Sequence, residues 1–172
     1  MATTGWENLS DEGGIFELLS LDHSGDGISF FRQPRPTMPD GTLVAGIDSK
    51  VEAISAWMAS NAALTVSPAT QVPVGGLNGQ RMDFAIAPGT ESHPSDCPVQ
   101  VCVLAFIGRD PSSKPTWQWD WGSAGPERQR LFLLAATDGV VAIFVDSLDG
   151  TTFDALTRAA DEILATVKFD GT

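Results

Sequence analysis

The sequence predicts one α+β domain in which a mostly antiparallel sheet of about six to seven strands is flanked by two main helices. Three observations favour this class. Short segments alternate apolar and polar residues at period two, tight turns join them, and two amphipathic segments have the longer helical period. With 172 residues and 42% apolar content, the chain is long enough for one core. We assign residues 1–12 to an N-terminal extension and residues 13–170 to the domain.

The first predicted elements are two strands, residues 14–21 and 27–33, which form a hairpin. The connecting residues 22–26 are mostly small and polar, and such residues tolerate turn conformations. Their acidic residues and the following glycine also resemble the start of a calcium-binding loop. The twelfth position of such a loop carries a bidentate glutamate, whereas here it is Gln33, so we interpret the segment as a turn.

The next predicted element is a helix that begins at Ser49. Ser49 and Glu52 have the spacing of a capping box, in which the serine hydroxyl accepts a backbone N–H and the glutamate reaches back. The apolar residues that follow fall on one side of a helix. They are Val51, Ile54, Trp57 and Met58.

Three glycines, Gly75, Gly76 and Gly79, follow a segment at residues 64–74 that is predicted to be extended. A phosphate-binding loop of this composition would open a helix. Here residues 80–87 instead alternate apolar and polar side chains, which predicts a half-buried strand. We therefore expect a turn with positive φ rather than a phosphate site.

Three further strands are predicted in the second half of the chain. Residues 99–107 form one of them, and residues 130–137 pair with residues 140–147. Asp138 and Gly139 stand between the last two segments, and this dipeptide is a strong signal for a hairpin turn.

The last predicted element is a helix that begins near Thr151 or Thr152, either of which can cap it. Asp154 in the first turn favours the positive end of the helix dipole. An apolar stripe follows at helical spacing. Its residues are Phe153, Leu156, Ala160, Ile163, Leu164 and Val167.

The formal net charge is −12, from 10 Lys and Arg residues against 22 Asp and Glu residues. This charge repels phosphate backbones and anionic membranes, so we expect no nucleic-acid partner. A basic protein or a cationic small molecule would be favoured, although an acidic surface also simply keeps a protein in solution. The longest apolar runs, residues 101–107 and 131–136, fall short of the ~20 residues of a membrane span, so we expect no direct membrane insertion.

The sequence contains no recognisable catalytic pattern. His23 and His93 are the only histidines available as bases, and no nucleophile elbow is present. We expect no catalytic residue, no cofactor and no metal. The alternative that stays open is a small hydrolase or isomerase with a site between the sheet and residues 109–127, a segment predicted to be a loop.

Three tryptophans are the best candidates for a binding surface. Trp117, Trp119 and Trp121 are spaced at period two, so in an extended segment they share one face. Three exposed indoles would match or exceed the largest apolar patch of an ordinary monomer. They are therefore either packed inside the fold or form a shelf for a sugar, an apolar ligand or a protein partner, with Asp120 or Arg109 as polar neighbours.

Four segments resemble a known group of extracytoplasmic domains. They are WMASNAALTVSP at residues 57–68, VPVGGLNG at 72–79, FDAL at 153–156 and ILATVKF at 163–169. Together they look like an actinobacterial-type domain of unknown function with the Mog1/PsbP-like fold, a group that includes LpqN-type lipoproteins. The resemblance extends over about residues 13–169 and carries no functional residue.

The resemblance implies a domain displayed outside the membrane, secreted or anchored. We therefore expect a non-catalytic binding or interaction domain for an unknown protein or for a small apolar or sugar ligand. A cytoplasmic location is the alternative, because the first residues have neither a basic leader nor an apolar segment.

The pair Cys97 and Cys102 bears on whether the protein is located outside the membrane. A fully extended strand would separate their Cα atoms by ~16 Å, and a disulfide allows only ~4.4–6.8 Å, so a bridge requires the intervening residues to curl. A lone cysteine pair in an exported protein is usually oxidised, and we expect the bridge on that ground. Zinc is the alternative, with His93 and Asp96 as further ligands, but the spacings are not those of zinc sites.

Overall fold

The computed structural model describes residues 5–12, 15–23, 25–47, 49–91, 101–110 and 117–169, and every structural statement below concerns these residues. None of their helices is long and apolar enough to cross a membrane. The strands are β1 (Trp6–Glu12), β2 (Ile15–Ser20), β3 (Gly27–Arg32), β4 (Arg35–Pro36), β5 (Leu64–Val66), β6 (Thr70–Val74), β7 (Leu77–Ile86), β8 (Cys102–Asp110), β9 (Trp117–Ala124), β10 (Arg128–Ala136) and β11 (Gly139–Ser147). The helices are α1 (Val51–Ser60) and α2 (Phe153–Leu164).

The larger sheet has eight strands in the order β1-β2-β3-β11-β10-β7-β5, with β6 also paired to β7. Its neighbours pair antiparallel, which confirms the α+β class and the mostly antiparallel sheet. Within this sheet, two differences raise the number of strands above the prediction. Residues 6–12, assigned above to an extension, form the outermost strand β1, and the segment 64–74 divides into two short strands.

The outer strand β1 is irregular. It pairs with β2 from Trp6 opposite Ser20 to Glu12 opposite Ile15, and the register shifts between Asn8 and Ser10. Such a shift is a β-bulge, which bends the strand locally.

A second sheet has three strands in the order β4-β8-β9. Strand β9 lies inside residues 109–127, so the prediction that this whole segment is a loop is wrong. The segment contains small residues, and one of them is required where β9 lies close to the backbone of β8. Gly122 pairs with Leu104, and a Cβ atom at Gly122 would collide with the carbonyl oxygen of Val103.

Two apolar cores lie on opposite faces of the eight-stranded sheet. One face packs against α1 and the three-stranded sheet, and the other face packs against α2. The central strands β10 and β11 serve both cores. Leu131 and Leu133 point into the first core, whereas Phe132 and Leu134 point into the second, as the period-two rule requires.

Helix α1 forms where predicted, but its capping box does not. The residue before the helix is Lys50, and no side chain caps the first turn. The helix is held instead by its apolar face, on which Ile54 and Met58 are fully buried and Trp57 packs edge-on to Phe106 with ring centroids 5.5 Å apart. Tertiary packing therefore replaces the local cap.

Helix α2 buries the predicted stripe from Phe153 to Leu164. Thr152 precedes the helix in a helical conformation and makes no side-chain cap, so the predicted threonine cap is wrong. Its hydroxyl instead donates to the carboxylate of Asp26 and lies 2.7 Å from the hydroxyl of Ser147. This contact joins the start of α2 to the sheet.

The glycine-rich turn is confirmed. Gly75 and Gly76 have φ of 60° and 90°, and the chain continues into β7 rather than into a helix. Gly79 serves a different purpose, because a Cβ atom there would collide with the backbone of Leu133 on the neighbouring strand.

Candidate functional site

A groove of about 520 Å³ lies between α2 and the turn that joins β2 to β3. We call it the α2 groove. Its lining residues are Gly5, Trp6, Ser20, Asp22, His23, Ala155, Leu156, Ala159, Glu162, Ile163 and Thr166.

The floor of the α2 groove is apolar. Leu156 and Ile163 are buried on the inner side of the helix, and Trp6 is partly buried against the same core. Ala155 and Ala159 stand one helical turn apart on the wall, and their short side chains leave the space that a larger residue would fill.

The rim of the α2 groove is acidic. Asp22 and Glu162 are exposed on opposite walls, and none of the described residues that line the groove is a lysine or an arginine. The hydroxyl of Ser20 accepts the backbone N–H groups of Asp22 and His23 at 3.3 Å and 3.2 Å, which fixes the turn. His23 is exposed beside Asp22 and is the only histidine among the described residues.

A second polar cluster lies between the two sheets. We call Glu127, Gln129 and Asp146 the acidic corner. Gln129 is fully buried; it donates to the carbonyl oxygen of Gly122 at 2.8 Å and accepts the indole N–H of Trp121 at 3.0 Å. Its Nε2 also donates to Oε2 of Glu127 at 3.1 Å. Gln129 therefore holds β9 against β10.

Both carboxyl groups of the acidic corner have raised pKa values. Burial raises the pKa of Glu127, although hydrogen bonds from Ala124 N–H and Gln129 oppose the shift. Burial, and then the negative charges of Glu127 and Asp26, raise the pKa of Asp146 to about 8. Oδ1 of Asp146 is buried without a hydrogen-bond partner among the described residues. The fold therefore favours the protonated form of Asp146.

Of the three tryptophans predicted to form a shelf, the structure describes the side chain of Trp121. The indole of Trp121 packs on Phe31 and Phe144, with ring centroids 4.9 Å and 5.1 Å away, so this residue belongs to the core between the sheets. Asp120 is exposed. Trp117 and Trp119 lie towards the start of β9, and the structure does not describe their side chains, so the shelf of three tryptophans stays a prediction.

The structure describes only some of the other predicted site residues. Arg109 lies in β8 with its backbone opposite Gln118, and its side chain also falls outside the description. Cys102 is disulfide-bonded. Cys97, His93 and Asp96 lie outside the described residues, so the predicted pairing of the cysteines stays a prediction. Within the described part of the chain no group of three acidic, histidine or cysteine side chains is arranged to hold a metal ion.

Sequence reasoning missed both the α2 groove and the acidic corner. The sequence predicts an extension at residues 1–12, and nothing in its local pattern connects Trp6 with the small residues Ala155 and Ala159 on α2. Asp146 gave a weak signal, because it is a charged residue inside a strand that is otherwise strongly apolar. No protein-family model matches this sequence, and no curated protein shows significant similarity to it.

Proposed function

We propose that this protein is a non-catalytic binding domain that works outside the cytoplasm and takes its ligand or partner in the α2 groove. The observation that carries the proposal is the division of the groove into an apolar floor and an exposed polar rim. Its volume of about 520 Å³ is within the range of ligand-binding clefts. Such a surface recognises a partner by burying apolar area and by pairing charges at its edge.

The rim does not favour catalysis. A general base is normally positioned by a hydrogen-bonding partner and is partly shielded from water, so that its pKa suits the reaction. His23 stands in solvent, as do Asp22 and Glu162. These groups can attract and orient a ligand, but they lack the shielding that proton transfer uses.

Two observations support the location outside the cytoplasm. Cys102 is disulfide-bonded, and structural disulfides persist in oxidising compartments. The antiparallel sheet covered by helices on both faces is also compatible with the Mog1/PsbP-like fold that the sequence resembles, and hence with LpqN-type lipoproteins. We include that fold family in the proposal.

Filling the groove tests the proposal. A neutral apolar dye, N-phenyl-1-naphthylamine, is titrated into the protein and its fluorescence is recorded. We expect saturable binding, and Ala159→Leu should weaken it at least about tenfold because the new side chain occupies the groove. Ala56→Leu on the exposed side of α1 is the matched control and should bind as the wild type. Equal binding by Ala159→Leu and the wild type would contradict the proposal, as would no binding by either.

The acidic corner favours a second candidate, a hydrolase or isomerase with its site beside β9. Asp146 is an acid whose pKa is raised to about 8, and Glu127 is a neighbouring carboxyl group. Two neighbouring carboxyl groups whose pKa values are raised by their surroundings can act as proton donor and acceptor. A panel of ester and glycoside substrates tests this candidate. Turnover that is lost in Asp146→Asn would support it, and the absence of turnover by the wild type would count against it.

A further inference from the structure

The carboxylates of the α2 groove differ from the other acidic groups that surround α2. Asp154 and Asp161 pair with Arg128 and Arg130, and Asp83 pairs with Arg130 at 2.7 Å. Within the described residues, Asp22 and Glu162 take part in no ion pair. The fold therefore leaves two negative charges on facing walls of one groove.

The composition of the chain makes it hard to neutralise these charges from within. The protein has 10 basic residues against 22 acidic ones, and Arg128 and Arg130 are already paired with acidic residues of α2. Arg158 lies on α2 one turn before Glu162, but it takes part in no ion pair among the described residues and does not line the groove. The resulting negative field draws cationic groups towards the groove. A cation between Asp22 and Glu162 would neutralise both walls.

The apolar part of the groove suits the stem of a basic side chain. Lysine and arginine carry long aliphatic stems that lie on apolar surface while the charged end stays near water. Trp6, which is only partly buried, supplies such a surface below the acidic rim, with the nearly buried Leu156 and Ile163 beneath it. The indole of Trp6 also attracts cations through its ring.

The shape of the groove favours a chain segment over a small enclosed molecule. Its helix wall runs from Ala155 to Thr166, a rise of ~16 Å at 1.5 Å per residue. Ala155, Glu162 and Thr166 are exposed, so the groove is open along this wall. An extended segment of about five residues spans the same length.

We infer that the α2 groove docks a basic segment of a partner protein, with lysine or arginine side chains held between Asp22 and Glu162 and their stems on Trp6. The inference rests on the proposed function and adds the chemistry of the partner. Because both carboxylates are exposed, the charge pairing contributes mainly to selectivity and association rate, and it weakens as salt screens it.

Fluorescence anisotropy of labelled peptides tests the inference. Three peptides of about eight residues share the same leucine positions and differ only in carrying lysine, glutamine or glutamate between them. We expect the lysine peptide to bind at least about tenfold more tightly than the glutamine peptide at low salt, and the glutamate peptide not to bind. Raising the salt concentration should reduce this difference.

Paired variants separate the groove from the overall charge. Asp22→Asn/Glu162→Gln removes both groove charges, and Glu52→Gln/Glu91→Gln removes two exposed charges elsewhere. We expect the first variant to lose about tenfold in affinity for the lysine peptide and the second to bind nearly as the wild type. Equal affinities of these two variants would overturn the inference.

The remaining outcomes distinguish this inference from the proposed function. If the lysine peptide binds no better than the glutamine peptide, while N-phenyl-1-naphthylamine still binds and Ala159→Leu abolishes it, the groove takes an uncharged ligand and the inference fails alone. If dodecylamine binds at the groove and the lysine peptide does not, a cationic amphiphile replaces the protein segment, and the inference also fails. If no probe binds, the proposed function fails with it.

Discussion

The hydroxyl of Thr152 donates a hydrogen bond to the buried carboxylate of Asp26, and this bond ties the beginning of α2 to the beginning of β3. The other oxygen of Asp26 accepts the backbone N–H of Leu148 at 3.0 Å. Asp26 thus links β3, the end of β11 and α2. Because α2 and the turn after β2 are the two walls of the groove, the same contact also positions the candidate site.

Removing this hydroxyl should destabilise the protein. Thr152→Val keeps the shape of the side chain but leaves Asp26, only 3% exposed, without one of its donors. We expect a loss of about 1–3 kcal/mol in the free energy of unfolding, measured by urea denaturation. Thr151→Val is the control, because the Thr151 hydroxyl bonds to Asp149 at an exposed position. A loss of unfolding free energy no larger than that of the control would show that the hydrogen bond from Thr152 to Asp26 does not stabilise the protein.

Gln129 should be essential for holding β9. Gln129→Leu removes the acceptor of the Trp121 indole and the donor to Gly122 inside the core. Each unsatisfied buried group costs on the order of 1–3 kcal/mol, so we expect a large drop in the urea midpoint. Trp121 should also become more hydrated, which shifts tryptophan emission to longer wavelength. Unchanged emission together with unchanged stability would contradict this role.

Asp146 should make stability depend on pH. Its pKa rises from 3.8 to about 8 on folding, so between these values the native protein holds a proton that the unfolded chain has released. Its contribution to stability is therefore greatest below pH 3.8 and is lost as the pH rises to about 8. Glu127, whose pKa is also raised, acts in the same direction.

Asp146→Asn removes this dependence. We expect the variant to exceed the wild type in stability by on the order of 1–3 kcal/mol near pH 8, with the difference shrinking as the pH falls towards 4. Urea denaturation at a series of pH values measures it. Asp138→Asn, at an exposed ion pair with Arg32, is the control and should leave the pH dependence unchanged. A constant difference in stability across the pH series would contradict the raised pKa of Asp146.

Gly79 should tolerate no side chain. Gly79→Ala places a Cβ atom against the backbone of Leu133 in the centre of the sheet, so β7 and β10 must separate. We expect a loss of about 3 kcal/mol or more in urea denaturation. Gly89→Ala is the control. Gly89 has φ of 80° and open space around it, so this variant measures the cost of a side chain at positive φ without a steric collision. That control should cost only about 1 kcal/mol.

The centre of the fold was predictable because its signals are local. The hairpin of β10 and β11 follows from alternating apolar residues around Asp138 and Gly139, and α2 follows from a stripe at helical spacing. The helix starts were not predictable in detail. Thr152 has the composition of a cap, but the buried carboxylate of Asp26, which is 126 positions away in sequence, engages its hydroxyl instead.

The edges and the candidate site depend on contacts that a local pattern does not contain. Strand β9 lies within a segment that is rich in glycine, serine and proline, and its pairing with β8 is what makes it a strand. The α2 groove combines Trp6 with Ala159, which are far apart in sequence and meet only after the sheet has formed. Periodicity within one segment cannot identify such a pair.

The bulge in β1 has a consequence for self-association. The outermost strand of a sheet exposes backbone groups that can template the addition of another chain. The shift between Asn8 and Ser10 interrupts that row on one side of the sheet, and Pro73 in β6, which has no N–H group, interrupts it on the other. These two interruptions disfavour the addition of another chain at β1 and at β6, even though Leu9 is 59% exposed beside the bulge.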